Sequence, residues 1–292
     1  MKVLITGASG FIGKNLLEYL SPRYEVDAPT RQELDLLDDQ SVRRYFARHT
    51  VDVIIHTAGK PGHRNAKDST GVFYADCLMF YNLLRNRDSF GKLLITGSGA
   101  IYDMRYYMPK MKEEYIGTHM PVDEHGFFRY VTSHCMGTDN RIIDLRLFGV
   151  FGKYEDYAIR FISNSICKTL FDLPITIKQN RRFDYLYIED LLPVMEYFFH
   201  NDAQYNAYNV TPDNSVELYA LAEMVRFRSG KDIPIIVAQP GLGLEYSGDN
   251  ARLHEEIPAL SFTTLELAID RLYGWYEKNR SMIDKECLLF DK

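Results

Sequence analysis

The stretch Val3-Leu4-Ile5-Thr6-Gly7-Ala8-Ser9-Gly10-Phe11-Ile12-Gly13 decides the fold. Val3 to Ile5 is a short apolar run of the kind that forms a strand buried on both faces. From Phe11 onward, apolar side chains at Ile12, Leu16, Leu17 and Leu20 carry helical spacing, which makes Thr6 to Gly10 a strand-to-helix turn. Gly7 permits the tight bend, Gly10 lets the backbone approach a pyrophosphate, and Gly13 lets the helix pack on the sheet. Unpaired N–H groups at the helix start then face the phosphates. In this setting the glycines predict a dinucleotide site built from Gly7, Ser9, Gly10, Phe11, Ile12 and Gly13. The competing reading is a strand–helix turn without a ligand.

Outward from this stretch, Tyr24 to Ala28, Val51 to His56, Lys92 to Thr96 and Ile142 to Leu147 read as further strands, with helices over 39–49, 69–87 and 126–137. The alternation predicts an α/β protein with a Rossmann-type doubly wound parallel sheet and ligands at the carboxyl ends of its strands. Beyond Gly152, helices at 161–173, 189–200, 215–229 and 263–280 are expected among strands at 183–188, 207–210 and 233–237. Residues 1–152 with 181–210 are then the dinucleotide-binding part, and 153–180 with 211–292 a smaller α/β substrate domain. Residues 103–124 are polar and aromatic-rich, with Pro109 and Pro121, a long loop of the kind that covers a site.

Composition narrows the class. With 292 residues, 46% of them hydrophobic, the chain can build a large core. A net charge of −6 offers no cationic excess to neutralise phosphates, which argues against non-specific nucleic-acid binding. No apolar run approaches the length of a membrane span. Cys77, Cys135, Cys167 and Cys287 are scattered, so neither a metal site nor a disulfide framework is indicated. The chain enters a strand at once, with no signal peptide ahead of it, and a cytoplasmic protein is expected.

Several motifs follow the glycine loop in order: His56-Thr57-Ala58-Gly59, Gly97-Ser98-Gly99-Ala100-Ile101-Tyr102, Leu145 to Gly152 and Arg182 to Asp190. With them the chain resembles the extended short-chain dehydrogenase/reductases, in the NAD-dependent epimerase/dehydratase branch that modifies nucleotide sugars. The stretch Thr30-Arg31-Gln32-Glu33-Leu34-Asp35-Leu36-Leu37-Asp38 is similar to the GDP-fucose synthase subgroup. The resemblance implies an oxidoreductase or epimerase acting on a nucleotide-activated 4-keto sugar for surface polysaccharide. The alternatives are a dehydratase or epimerase with tightly held NAD, or a cofactor-binding protein impaired in catalysis. It further implies a homodimer, Asp35 and Leu36 beside the adenine, and Ala58 and Gly59 along the pyrophosphate. Arg31, placed after the second strand to meet a 2′-phosphate, favours NADP, with NAD as the alternative.

Family members use a Ser or Thr, a Tyr and a Lys, the Tyr exchanging a proton with a sugar hydroxyl. Ser98 matches the first. The Tyr–Lys pair does not match cleanly. Tyr106 and Lys110 have the spacing, but Pro109 disfavours a helix between them. Counting from Pro121 puts His125 at the Tyr position and Arg129 at the Lys position, the preferred register. The alternative, Tyr130 with His134, keeps the Tyr and loses the Lys. A guanidinium beside His125 would depress its pKa while leaving an imidazole able to exchange a proton. The resemblance also brings Arg182 and Asn164 toward the substrate, and His63 and Arg64 toward the nicotinamide. It sets an arginine near Gly241-Leu242-Gly243, where this chain has none.

Overall fold

Six strands lie parallel in one sheet, the central ones mostly apolar on both faces and covered by two layers of helices. The structure, a computed structural model, describes residues 1–62, 66–137 and 139–289. β1 (Lys2–Thr6) leads into α1 (Phe11–Leu20), β2 (Glu25–Asp27), α2 (Asp39–Phe46) and β3 (Val51–His56). Then come α3 (Val72–Leu84), β4 (Phe90–Ser98), α4 (Glu124–Met136), β5 (Ile142–Leu147) and β6 (Val150–Phe151). The rest of the chain forms α5 (Phe161–Leu170), β7 (Ile175–Asn180), β8 (Arg182–Phe183), β9 (Leu186–Tyr187), α6 (Ile188–His200) and β10 (Ala207–Val210). It ends with β11 (Val216–Glu217), α7 (Leu218–Ser229), β12 (Ile235–Leu242), α8 (Ala251–Glu256) and α9 (Leu265–Lys278).

The main sheet has the order β10-β5-β4-β3-β1-β2, every pair parallel. This is the doubly wound architecture expected. From β1 the chain steps out to β2 and then returns to the opposite side of β1 as β3. The order reverses there, and the crevice beyond the carboxyl ends of β1 and β3 is where such sheets bind ligands.

Three expectations change. The strand predicted over 183–188 is two short ones, β8 paired with β11 and β9 with β6. Between them Asp184 turns inward and accepts hydrogen bonds from the Thr211 hydroxyl and the Gly248 N–H. The strand predicted at 233–237 starts at Ile235 and runs to Leu242, beside β7, which the periodicity did not mark. α3 begins at Val72, three residues late, because Gly71 before it takes the left-handed region at φ 63°. The 103–124 segment is tied down as a cover: Tyr107 and Met111 are buried, and Met111 bridges to Gly248. With Ile101, Tyr102 and Tyr246 these residues form a small core of their own.

Candidate functional site

At the switch point the glycine loop leaves no room for side chains. Gly7 has φ +76°, and a Cβ on it would stand 2.6 Å from the Ala58 nitrogen. One on Gly13 would meet the Gly7 carbonyl oxygen at 2.3 Å. The loops after β1 and β3 are therefore pressed together into one cradle. Gly10 caps α1 without any side-chain hydrogen bond, so the first N–H groups of the helix are free toward the crevice. Ser9, Gly10 and Gly59 are exposed, while Phe11, Ile12 and Ala58 are half-buried beside them. A cradle open at a helix N-terminus and closed to any Cβ fits a dinucleotide diphosphate.

Farther along the rim, Leu36 is buried and its carbonyl accepts from the Asn82 amide at 2.9 Å. The Asp35 carboxylate accepts from the Leu37 N–H at 3.0 Å. Arg31 extends into solvent with its side chain 74% exposed, its Nε 3.4 Å from Asp35. Asp27, the carboxylate at the end of β2, accepts a hydrogen bond from the Tyr45 hydroxyl.

Ser98 ends β4, and its Oγ accepts from the Ala100 N–H at 3.1 Å. Opposite this turn runs α4, capped by Asp123, whose carboxylate accepts from the Gly126 N–H at 2.8 Å. A Cβ on Gly126 would lie 2.4 Å from the Ala100 carbonyl oxygen, so helix and turn touch. That contact fixes which face of α4 looks at the crevice. His125 and Arg129, one helical turn apart, are close enough to repel each other electrostatically. Burial, and after it Arg129, pushes the His125 pKa down to about 4, so the imidazole is neutral at neutral pH. Arg129 feels the carboxylates Asp144 and Asp76, lies over the Phe128 ring at 4.8 Å, and keeps a buried Nε with no hydrogen-bond partner. Such an orphaned donor is costly unless something meets it.

The alternative pair goes elsewhere. Tyr130 packs on Gly117 and on His134, with ring centroids 4.5 Å apart. His134 lines a separate cavity with Ile116, Met136 and Arg146. Tyr106 stacks on His119 outside any α-helix, and Lys110 donates to the Asp213 carbonyl at 2.6 Å.

Residues 3–211 match the model of the NAD dependent epimerase/dehydratase family. The chain belongs to that family. Among curated relatives, the GDP-L-colitose synthase of Yersinia pseudotuberculosis is 36% identical over 107 residues, which is 35% of each chain. The GDP-L-fucose synthase of Escherichia coli is 29% identical over 130 residues, 42% of this chain and 40% of the relative. The matched region thus spans well under half the length of these relatives. Solved structures agree over far more of the chain. A UDP-glucose 4-epimerase from Thermotoga maritima superposes with a TM-score of 0.81 at 16% identity, covering 96% of this chain and all of that one. A GDP-mannoheptose C4 reductase from Campylobacter jejuni with NADP bound gives 0.79 at 20% identity, covering 94% and 98%. At such identities the likeness is one of fold.

For an epimerase/dehydratase family member, the far side of this crevice is where a substrate is expected, and there the side chains sort differently from their reading in sequence. Arg182 is engaged: it donates to the Ser215 hydroxyl at 3.0 Å and to its carbonyl at 2.6 Å, and it pairs with Glu217 and Glu245. Asn164 donates to the Tyr157 carbonyl at 3.0 Å, holding the turn before α5. Two arginines that the motifs did not mark act on groups of the crevice: Arg160, just before α5, acts on His125, and both Arg160 and Arg181 act on the half-buried Tyr185. The Gly243 loop, which lacks an arginine of its own, lies against Arg181, whose Nε would be 3.4 Å from a Cβ on Gly243. His63 and Arg64 lie outside the described residues.

Proposed function

We propose that this chain is a nicotinamide-dinucleotide-dependent oxidoreductase or epimerase acting on a nucleotide-activated 4-keto sugar for surface polysaccharide, with NADP preferred. The observation that carries the reading is the intact glycine cradle, with the turn after Ser98 packed on the helix of His125 and Arg129 through Gly126 and the Ala100 carbonyl. The dinucleotide, when bound, supplies hydride transfer. Gly7 to Gly13 and the start of α1 hold its diphosphate. Arg31 takes the 2′-phosphate, a choice supported by the engagement of Asp27 with Tyr45, which occupies the carboxylate an NAD ribose would use. The Arg129 guanidinium, one turn after His125, stands in the place of the family's lysine and is the group proposed to hold the nicotinamide ribose.

Ser98 hydrogen-bonds the reacting sugar oxygen. His125, neutral at pH 7, accepts the hydroxyl proton when the sugar is oxidised. Arg160 and Arg181 offer guanidinium groups to the diphosphate of the substrate, taking the part read earlier for Arg182 and Asn164. Residues 153–180 with 211–292 form the substrate side, and 1–152 with 181–210 the dinucleotide side. Tyr74 on α3, 71% exposed, and Phe127 on α4 suit a homodimer contact between helices.

Purified protein given NADPH and 4-keto-6-deoxy nucleotide sugars is expected to consume NADPH. His125→Ala is expected to lower kcat about a hundredfold for the oxidative direction. An unchanged rate removes His125 from proton transfer, and NADPH binding without turnover by the unmodified protein points to a non-catalytic binder.

A further inference from the structure

A buried carboxylate lies directly beneath the loop that follows β3. Asp76 of α3 is 3% exposed, and its two oxygens stand 3.7 and 3.9 Å from where a Cβ on Gly59 would be. With glycine at this exposed position, the space above the carboxylate stays open. Oδ1 accepts from the Lys60 N–H at 2.7 Å, the only hydrogen bond to this carboxylate among the described residues. The Lys60 ammonium is engaged elsewhere, with Asp68 at 2.7 Å and the Thr70 carbonyl at 2.6 Å. A carboxylate can accept about four donors, and a buried one rarely goes short of them. The same side chain stands level with Arg129, because α3 and α4 run side by side in one direction. The Phe73 N–H donates to Glu124 at 2.9 Å, the Phe73 and Phe127 rings stack at 5.2 Å, and the Tyr81 hydroxyl meets the Cys135 sulfur at 2.7 Å. Both side-chain pairs join residues 54 positions apart, an offset that sets Asp76 beside the Arg129–Tyr130 step of α4. Tyr130 turns to Gly117, which leaves Arg129 as the neighbour. In keeping with this placement, the two groups favour each other's charged form.

A guanidinium can only donate, whereas each ribose hydroxyl has a hydrogen to give as well as lone pairs to fill. Held by Arg129 alone, a ribose diol would keep its hydroxyl hydrogens without an acceptor. We propose that Asp76 is a further cofactor-binding residue, its Oδ2 accepting a hydroxyl hydrogen of the nicotinamide ribose while Arg129 donates to the same diol. The inference rests on the reading of the crevice as a dinucleotide site with Arg129 at that ribose. A carboxylate on a ribose hydroxyl is the chemistry that NAD sites use at the adenosine end. Here it serves the other ribose, with a cation beside it to balance the buried charge.

Asp76→Asn is nearly isosteric and keeps an oxygen for the Lys60 N–H, so its amide nitrogen puts a donor where the second acceptor was. The variant is expected to bind NADPH about 10- to 100-fold more weakly. It is expected to bind 2′,5′-ADP, which ends short of that ribose, as the unmodified protein does. The direction of the change discriminates. A carboxylate that only balanced Arg129 would repel an anionic cofactor, and its removal would leave NADPH binding equal or tighter. In protein labelled with carbon-13 at the aspartate carboxyls, the Asp76 resonance is expected to move with NADPH and not with 2′,5′-ADP. Its absence from Asp76→Asn assigns it, or its absence from Asp76→Glu should the first variant not fold, and the shift then decides alone. If NADH proves the tighter cofactor, NADH and ADP take the places of NADPH and 2′,5′-ADP. Equal or tighter cofactor binding by Asp76→Asn, equal losses for both ligands, or an Asp76 resonance indifferent to the cofactor each overturn the contact and leave the dinucleotide site standing. Unmodified protein that binds neither NADPH nor NADH overturns both.

Discussion

Arg31 stands at the rim of the crevice with its guanidinium mostly in water, so removing it costs the fold little. Arg31→Ala is expected to weaken NADPH binding about 10- to 100-fold, the worth of a charge-assisted contact to phosphate, and to leave NADH binding as it was. Titration of both cofactors against both proteins checks this, and equal losses would take Arg31 out of cofactor choice. A deeper residue sets a pH dependence. Glu155 is buried, accepts a hydrogen bond from the Ser163 hydroxyl at 2.6 Å, and burial pushes its carboxyl up to about 8 from an ordinary 4.5. The folded protein thus holds this proton more tightly than the unfolded chain. The stability it brings is complete below about pH 4.5 and is lost as pH rises through 8. Melting curves near pH 5 and pH 8 are expected to show the unmodified protein losing a few kcal/mol relative to Glu155→Gln, which has no proton to lose. Parallel pH profiles for the two proteins would refute this origin.

At the scale of elements, α4 carries the residues proposed for proton exchange, and its register shows what sequence can and cannot settle. A proline-based count offered His125 with Arg129 but left Tyr130 with His134 open. Packing places them differently: Gly126 sits against the Ala100 carbonyl, while Tyr130 packs on Gly117. Gly126→Ala is accordingly expected to cost about 1–3 kcal/mol through overpacking and to reduce turnover more than NADPH affinity, measured by melting and by kinetics. A stable, fully active variant would mean the contact does not set the helix. The central strands were legible because a strand buried on both faces is a short apolar run, as in Val3 to Ile5 and Val53 to Ile55. β7 was not, since the alternation of Ile175-Thr176-Ile177-Lys178 is only four residues long and its partner, β12, lies sixty residues on. Tyr246 was illegible for a like reason, since no local pattern ties it to the Tyr107 and Phe183 rings on which it packs.

Over the whole molecule, the two parts proposed for dinucleotide and substrate do not have separate interiors. One apolar cluster joins Val3, Ile55 and Leu145 of the main sheet to Ile166 of α5, Leu221 of α7 and Leu272 of α9. Calorimetry is therefore expected to record a single cooperative unfolding transition, and two resolved transitions would mean the parts are independent. The long return that closes the sheet matters for how the protein is made. β10 docks on β5 through Asp144 and Asn206, whose side-chain amide also donates to the Asp139 and Ile142 carbonyls. Sixty positions separate Leu147, the end of β5, from Ala207, the start of β10. On a ribosome adding about 5–20 residues per second, that interval lasts on the order of 3–12 s. Throughout it the growing polypeptide carries an open strand edge, and guarding that edge falls to whatever meets the nascent chain.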